Sequence, residues 1–316
     1  VTGGTGESGV TGWWNSIVAG DFDNDGDIDY VVGNLGLNSY YKADAEHPVR
    51  VYGKDFDNNG VYDMLTSLYL PDQKGRLREF PAIGRDDLLR QMNSMRHRFP
   101  SYRDYAVATM DKVLTPEDRN GATILTANQM RSCLFRNDGG GKFTMIPLPV
   151  EAQFSVINGM VAGDFDGDGN LDIVMSGNDY GTEVSTGRYD AMNGLLLRGD
   201  GSCGFFPATI LQSGIFIPGD GKALVALRGA GGHYLLAAGQ NRGPLKVFKR
   251  RMDGRQVALM PSEVAAMVRL KDGRVRREEY YYGESFLSQS GRFMDWNGPV
   301  VEAEIVDEKG RKRVVR

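Results

Sequence analysis

The sequence predicts an all-β chain of repeated short-strand units, interrupted by a helical insertion and followed by a small β-rich end. Three observations carry this prediction. A nine-residue acidic loop is written three times, as Asp21-Phe-Asp-Asn-Asp-Gly-Asp-Ile-Asp29, Asp55-Phe-Asp-Asn-Asn-Gly-Val-Tyr-Asp63 and Asp164-Phe-Asp-Gly-Asp-Gly-Asn-Leu-Asp172, each entering an apolar stretch. Glycine supplies 42 of 316 residues, well above the usual share of about 7%, which suits a chain that turns often. The stretches between turns are short, β-branched or alternating, and bounded by Gly, Asn and Asp, as strands are.

Each loop sets carboxylate or amide oxygens at positions 1, 3 and 5 and a carboxylate at 9, with glycine at 6. That spacing suits a hard cation, since calcium takes six to eight oxygen ligands from a loop that folds around it. An EF-hand would add a bidentate Glu at position 12 and flanking helices. Position 12 is Val32, Thr66 or Met175, and the residues after position 9 are apolar and short. The loop therefore opens a strand, and the EF-hand reading fails. A plain Asp/Asn/Gly turn is the alternative, weakest where the copies are nearly identical and stronger for the middle loop, which has one carboxylate fewer.

A loop of this kind, reached through Val18-Ala-Gly-Asp-Phe22 or Val161-Ala-Gly-Asp-Phe165, resembles the FG-GAP (VCBS) repeat of integrin-like β-propellers. The resemblance implies FG-GAP-type propeller blades, each loop linking two strands and stiffened by Ca2+. Carried over by position, the ligands would be Asp21, Asp23, Asp25 and Asp29 with the Asp27 carbonyl. The second set would be Asp55, Asp57, Asn59 and Asp63. The third would be Asp164, Asp166, Asp168 and Asp172 with the Asn170 carbonyl. Two strong sites and one weaker are expected.

In chain order, residues 1–11 read as a Gly/Ser/Thr lead-in or the end of an earlier blade. Trp13 and Trp14 precede the first loop; a tryptophan beside a strand is usually core, and a sugar platform is the other reading. A first blade is expected to close near residue 53, with Pro48–Tyr52 as its outer strand. The second blade starts at the middle loop and is interrupted near 84–115. There, Arg85–Arg98 reads as one helix with Leu88, Leu89, Met92 and Met95 on a face, and Ser101 caps a second helix running to about Leu114. Such an insertion at a blade rim is not a folding necessity, and either carries a partner surface or caps the repeats. Leu134-Phe-Arg-Asn-Asp-Gly139 is read as the closing hairpin of the second blade. A third blade carries the third loop. A fourth, over 217–248, has lost its loop.

Propeller blades are thus expected over 1–250 and a β-rich domain over 251–316. Tyr282-Gly-Glu-Ser-Phe-Leu-Ser-Gln-Ser290 resembles the signature of the UnbV/ASPIC domain, which follows such propellers in relatives of cartilage acidic protein. The pattern departs after Ser290, where Arg292-Phe-Met-Asp-Trp-Asn297 stands instead. Four blades fall short of the family's closed rings, so the rest of a longer ring or a partner chain is expected.

Net charge is −4, and after residue 240 there are 17 Lys/Arg against 11 Asp/Glu, spread singly. That favours a solvated surface over a nucleic-acid patch. No apolar run is long enough for a membrane helix. The chain shows no leader pattern at Val1, as expected of a mature or truncated form. Cys133 and Cys203 follow no framework spacing, and a disulfide between them is open. Calcium loops of this kind suit millimolar calcium, hence an extracellular or cell-surface setting.

No catalytic constellation stands out: His47, His97 and His233 are scattered, and Ser288 has no apparent base partner. The expectation is a non-catalytic module binding a protein or glycan. The polar loop 178–190 is the first choice of ligand surface, with Tyr180, Arg188 and Tyr189, and Trp13 elsewhere. The alternative is a calcium-dependent polysaccharide lyase, a class in which FG-GAP-like propellers also occur.

Overall fold

The computed structural model describes residues 9–184, 186–252 and 254–316. These fall into two compact units, one of residues 9–13 and 40–130, the other of 14–39 and 131–316. In chain order β1 (Ser16–Gly20) and β2 (Asp29–Gly33) form an antiparallel hairpin around the first loop, in register from Ser16 opposite Gly33 to Gly20 opposite Asp29.

The chain then builds the smaller unit. β3 (Val49–Lys54), β4 (Asp63–Pro71) and β5 (Leu77–Pro81) lead into five short helices, and β6 (Thr123–Ala127) returns, giving a sheet of order β5-β4-β3-β6. Here the structure corrects the sequence reading. Pro48–Tyr52 does not close the first blade, because β3 pairs with β4 and β6. The expected helix over Arg85–Arg98 is two, α1 (Arg85–Gln91) and α2 (Met95–Arg98), broken at Asn93-Ser94, residues that compete for backbone hydrogen bonds. The second is also divided, into α3 (Tyr102–Ala106) and α4 (Met110–Val113), with α5 (Pro116–Arg119) after it. Ser101 does cap α3, accepting from the Asp104 N–H at 3.2 Å.

The helices are more than a rim decoration. Leu88, Met92, Met110 and Leu114 are buried against Tyr52 and Leu65 of the sheet. A sheet must bury one apolar face, and in this unit the helices cover it.

In the larger unit β7 (Cys133–Asn137) pairs with β2, and β8 (Phe143–Pro147) completes the sheet β1-β2-β7-β8. The Asn-Asp-Gly hairpin thus closes the first repeat rather than the second. The next sheet is a four-stranded meander of β9 (Ile157–Gly163), β10 (Asp172–Gly177), β11 (Leu195–Gly199) and β12 (Phe205–Ala208). α6 (Ile210–Ser213) leads to a three-stranded meander, β13 (Gly221–Arg228), β14 (Tyr234–Gln240) and β15 (Lys246–Lys249). Residues 1–250 thus hold four sheets, three in this unit and one in the smaller unit, and among the described residues none closes a ring.

The leading strands of the meanders pack side by side. Ser16 Oγ donates to the Ile157 carbonyl at 3.0 Å, and Asn158 Nδ2 to the Gly221 carbonyl at 2.9 Å. Gly159 permits this approach, since a Cβ there would lie 2.8 Å from the Leu224 nitrogen. β10, packed on both faces, is buried along its whole length.

The remaining strands form β16 (Gly254–Ala258) with β19 (Phe293–Asn297), and a sheet of order β18-β17-β20-β21 from β17 (Glu263–Leu270), β18 (Val275–Glu279), β20 (Val300–Asp307) and β21 (Lys312–Val315). Between β18 and β19 the Tyr282–Ser290 segment crosses the leading strands of all three meanders. Ser285 N–H donates to the Ile17 carbonyl (2.8 Å), Ser285 Oγ accepts from Met160 N–H (2.6 Å), Ser288 Oγ from Leu224 N–H (3.1 Å) and Ser290 Oγ from Ala226 N–H (2.9 Å). Cys133 and Cys203 are both buried and are not joined to each other, so the disulfide left open by the sequence is not formed.

Candidate metal centre

All three acidic loops join the first two paired strands of a hairpin, and position 9 always sits opposite the residue before position 1: Gly20 with Asp29, Lys54 with Asp63, Gly163 with Asp172. The internal hydrogen bonds repeat as well. The position 9 carboxylate accepts from the N–H of the loop phenylalanine, Phe22 to Asp29 and Phe56 to Asp63 at 3.0 Å, Phe165 to Asp172 at 2.8 Å. The position 1 carboxylate accepts from glycine 6: Gly26 to Asp21 at 3.1 Å, Gly60 to Asp55 at 2.9 Å, Gly169 to Asp164 at 3.0 Å. Glycine 6 has φ of +94°, +86° and +92° in the three copies, a region open to glycine and costly for other residues.

These turns draw carboxylates together. One oxygen each from Asp21, Asp23 and Asp25 lies within 4.8 Å of the others, and the same holds for Asp55, Asp57 and Asp63 and for Asp164, Asp166 and Asp172. Asp29 joins Asp23 in a grouping that includes the Cys203 thiol. The Asp27 and Asp168 carboxylates are not among these clusters. Asn59 accepts from Val61 N–H (2.8 Å) and Asp168 from Asn170 N–H (2.7 Å), bracing the loop.

Burial makes the carboxylates of Asp21, Asp23, Asp29, Asp63, Asp164 and Asp172 costly to ionise. It pushes Asp29 up to about 6 and Asp172 up to about 7 from 3.8, against backbone N–H donors and helped by neighbouring carboxylates. Asp21, Asp63 and Asp164 rise for the same leading reason. At position 3, Asp23 Oδ1 and Asp57 Oδ1 are buried with no hydrogen-bond partner. Clustered carboxylates with orphaned buried oxygens fit a hard divalent cation, which would favour the ionised forms.

Cys203 is a neighbour that sequence reasoning missed. Its thiol lies 3.9 Å from Asp29 Oδ2, brought from 174 residues away by the β11–β12 turn. Burial pushes the thiol well above its ordinary range, and sulfur is a poor match for calcium, which takes oxygen ligands.

The expected ligand loop is partly assembled. Asp179 and Tyr189 exchange backbone hydrogen bonds at 2.8 and 2.9 Å, and the Arg188 guanidinium lies 4.8 Å from the Tyr180 ring centre. Arg188 thus covers one face of Tyr180. Trp13 belongs to the smaller unit, where it is edge-on to Tyr41 at 4.7 Å.

No helix among the described residues is long and apolar enough to cross a membrane. No curated protein matches the chain. The family model of the FG-GAP-like repeat matches residues 118–175, a stretch that holds β6 through β9 and the whole third loop and ends within β10. This chain therefore carries an FG-GAP-like repeat within a mostly β fold.

Proposed function

We propose that the protein is a calcium-stabilised recognition module of the FG-GAP propeller type, exported or displayed at a cell surface, that binds a protein or glycan without catalysis. The observation that carries the metal reading is the position 3 aspartate, whose inner oxygen is buried without a partner in two loops built alike. Three meanders with adjacent leading strands support reading each as a propeller blade, the remaining blades coming from elsewhere. The Tyr282–Ser290 stretch supports an UnbV/ASPIC-like end. Loops of this ligand set suit millimolar free calcium, which favours the outside of the cell.

The test is thermal unfolding with calcium or chelator, beside calorimetric calcium titration. A site at a hundred times its dissociation constant contributes about 2.7 kcal/mol, so chelation should lower the melting temperature by several degrees. Asp164→Ala should remove most of one site's share. An unchanged melting temperature and no heat of binding would end the metal reading. Incubation with protein and glycan panels then tests recognition, and an unsaturated sugar product would overturn the non-catalytic reading.

A further inference from the structure

The first and third loops are held by the same strand. Arg277 N–H, on β18, donates to Asp21 Oδ2 at 2.8 Å, the position 1 carboxylate of the first loop. One residue earlier, Arg276 places Nη1 2.7 Å from the Gly169 carbonyl of the third loop, and its other terminal nitrogen on Glu278 at 2.8 Å. Arg276 is only 2% exposed, and its charge is felt by Asp164. Arg274, at the turn before β18, donates to Asn170 Oδ1 and pairs with Asp272. From β19, Asn297 Nδ2 donates to the Asp164 carbonyl at 2.9 Å. Asn24 of the first loop reaches the same Asn170 oxygen at 3.4 Å.

The position 1 residue of each loop is thus in contact with the C-terminal strands, once through its carboxylate and once through its carbonyl. A cation in either loop fixes the orientation of that residue. Without a cation, the buried carboxylates repel one another, and the donors from β18 and β19 lose a fixed acceptor.

We propose that cation occupancy of the first and third loops controls how firmly the C-terminal strands β18 and β19 dock on the repeats, with Arg274 and Arg276 as positioning residues. This rests on the calcium reading of the loops. The middle loop belongs to the smaller unit, and the proposal concerns the first and third loops alone. Coupling is reciprocal, so a firmly docked β18 also raises calcium affinity.

The test is hydrogen exchange of the full chain, read peptide by peptide by mass spectrometry, in calcium and in chelator, with calorimetry on the same samples. Calcium should slow exchange in both loops and also in β18 and β19, the Arg277 amide by about tenfold or more, within the usual range of coupled sites. Asp21→Asn should reduce the slowing at β18, most at the Arg277 amide, while the third loop and β19 stay protected. Arg276→Gln should keep calcium-dependent protection of the loops and reduce that of β18; if it misfolds, the wild-type and Asp21→Asn data still decide. Loops protected by calcium while β18 and β19 exchange unchanged would overturn the coupling alone. No calcium heat and no protection anywhere would overturn the loop reading with it.

Discussion

Asp172→Asn tests whether the third loop is built to hold a positive charge. Asp172 is fully buried, accepts from Phe165 N–H (2.8 Å) and Gly199 N–H (3.0 Å), and has its carboxyl pushed up to about 7 by burial. A folded-state value raised above the unfolded 3.8 means that the folded chain binds the proton more tightly. The associated stability is complete below about 3.8 and is lost as pH rises through about 7. Integrating between the two states, the metal-free protein gives up about 4 kcal/mol at pH 7, and recovers about 2 kcal/mol of it by pH 5. With calcium the sign reverses, because protons now compete for a ligand. Urea unfolding at pH 5 and 7, in chelator and in millimolar calcium, reads this directly. In chelator the wild type should be more stable at pH 5, and in calcium at pH 7. Asp172→Asn should flatten both slopes. Slopes are the quantity to compare, since an Asn amide sets a donor against backbone N–H groups whatever the pH. A chelated wild type that loses stability from pH 7 to 5 in parallel with Asp172→Asn would refute the reasoning.

Two further outcomes follow from packing and hydrogen bonding. Leu88→Ala, at a fully buried position among the helices of the smaller unit, should cost about 2–5 kcal/mol; proteolysis should open residues 40–130 first, and equal opening of both units would contradict a separate core. Ser285→Ala removes the acceptor of Met160 N–H and the donor to the Asn158 carbonyl, a loss of about 1–3 kcal/mol if the buried groups stay unmet. A melting temperature unchanged in that variant would show that water replaces the hydroxyl.

The acidic loops were legible as turns opening strands because their geometry is local. The Asp/Asn spacing, glycine at position 6 and the apolar run after position 9 all lie within twelve residues, and each fixes a turn or a strand without help from elsewhere. Leu88, Leu89, Met92 and Met95 were likewise legible as an apolar face, and all four are buried. Strand partnership was not. β2 ends at Gly33 and β3 begins at Val49, yet β2 pairs with β7, a hundred residues on. An alternating strand specifies which face is buried, but not which neighbour it hydrogen-bonds to. The order of assembly was read as sequential, and the smaller unit was therefore mistaken for parts of two repeats. Cys203 was hidden for the same reason, its approach to Asp29 being wholly non-local.

The serines of the Tyr282–Ser290 segment show how a sequence motif can look chemical and be structural. The leading strands β1, β9 and β13 expose backbone donors and acceptors along edges that would otherwise invite pairing with another chain. A regular strand laid across them would satisfy one edge, and three edges converge here. The segment instead bends sharply, with Ser285 and Leu287 at φ of +58° and +47°, and short hydroxyls meet the edges where its backbone turns away. Ser288 illustrates the result: its Oγ donates to the Phe286 carbonyl at 2.7 Å and accepts from Leu224 N–H at 3.1 Å. A hydroxyl already donating its proton to a carbonyl is poorly placed to be activated as a nucleophile, which needs a base in that position. Ser285 meets β1 through its N–H and β9 through its hydroxyl, while Ser288 and Ser290 take alternate N–H groups along β13, so the motif is a record of three sheets meeting one chain.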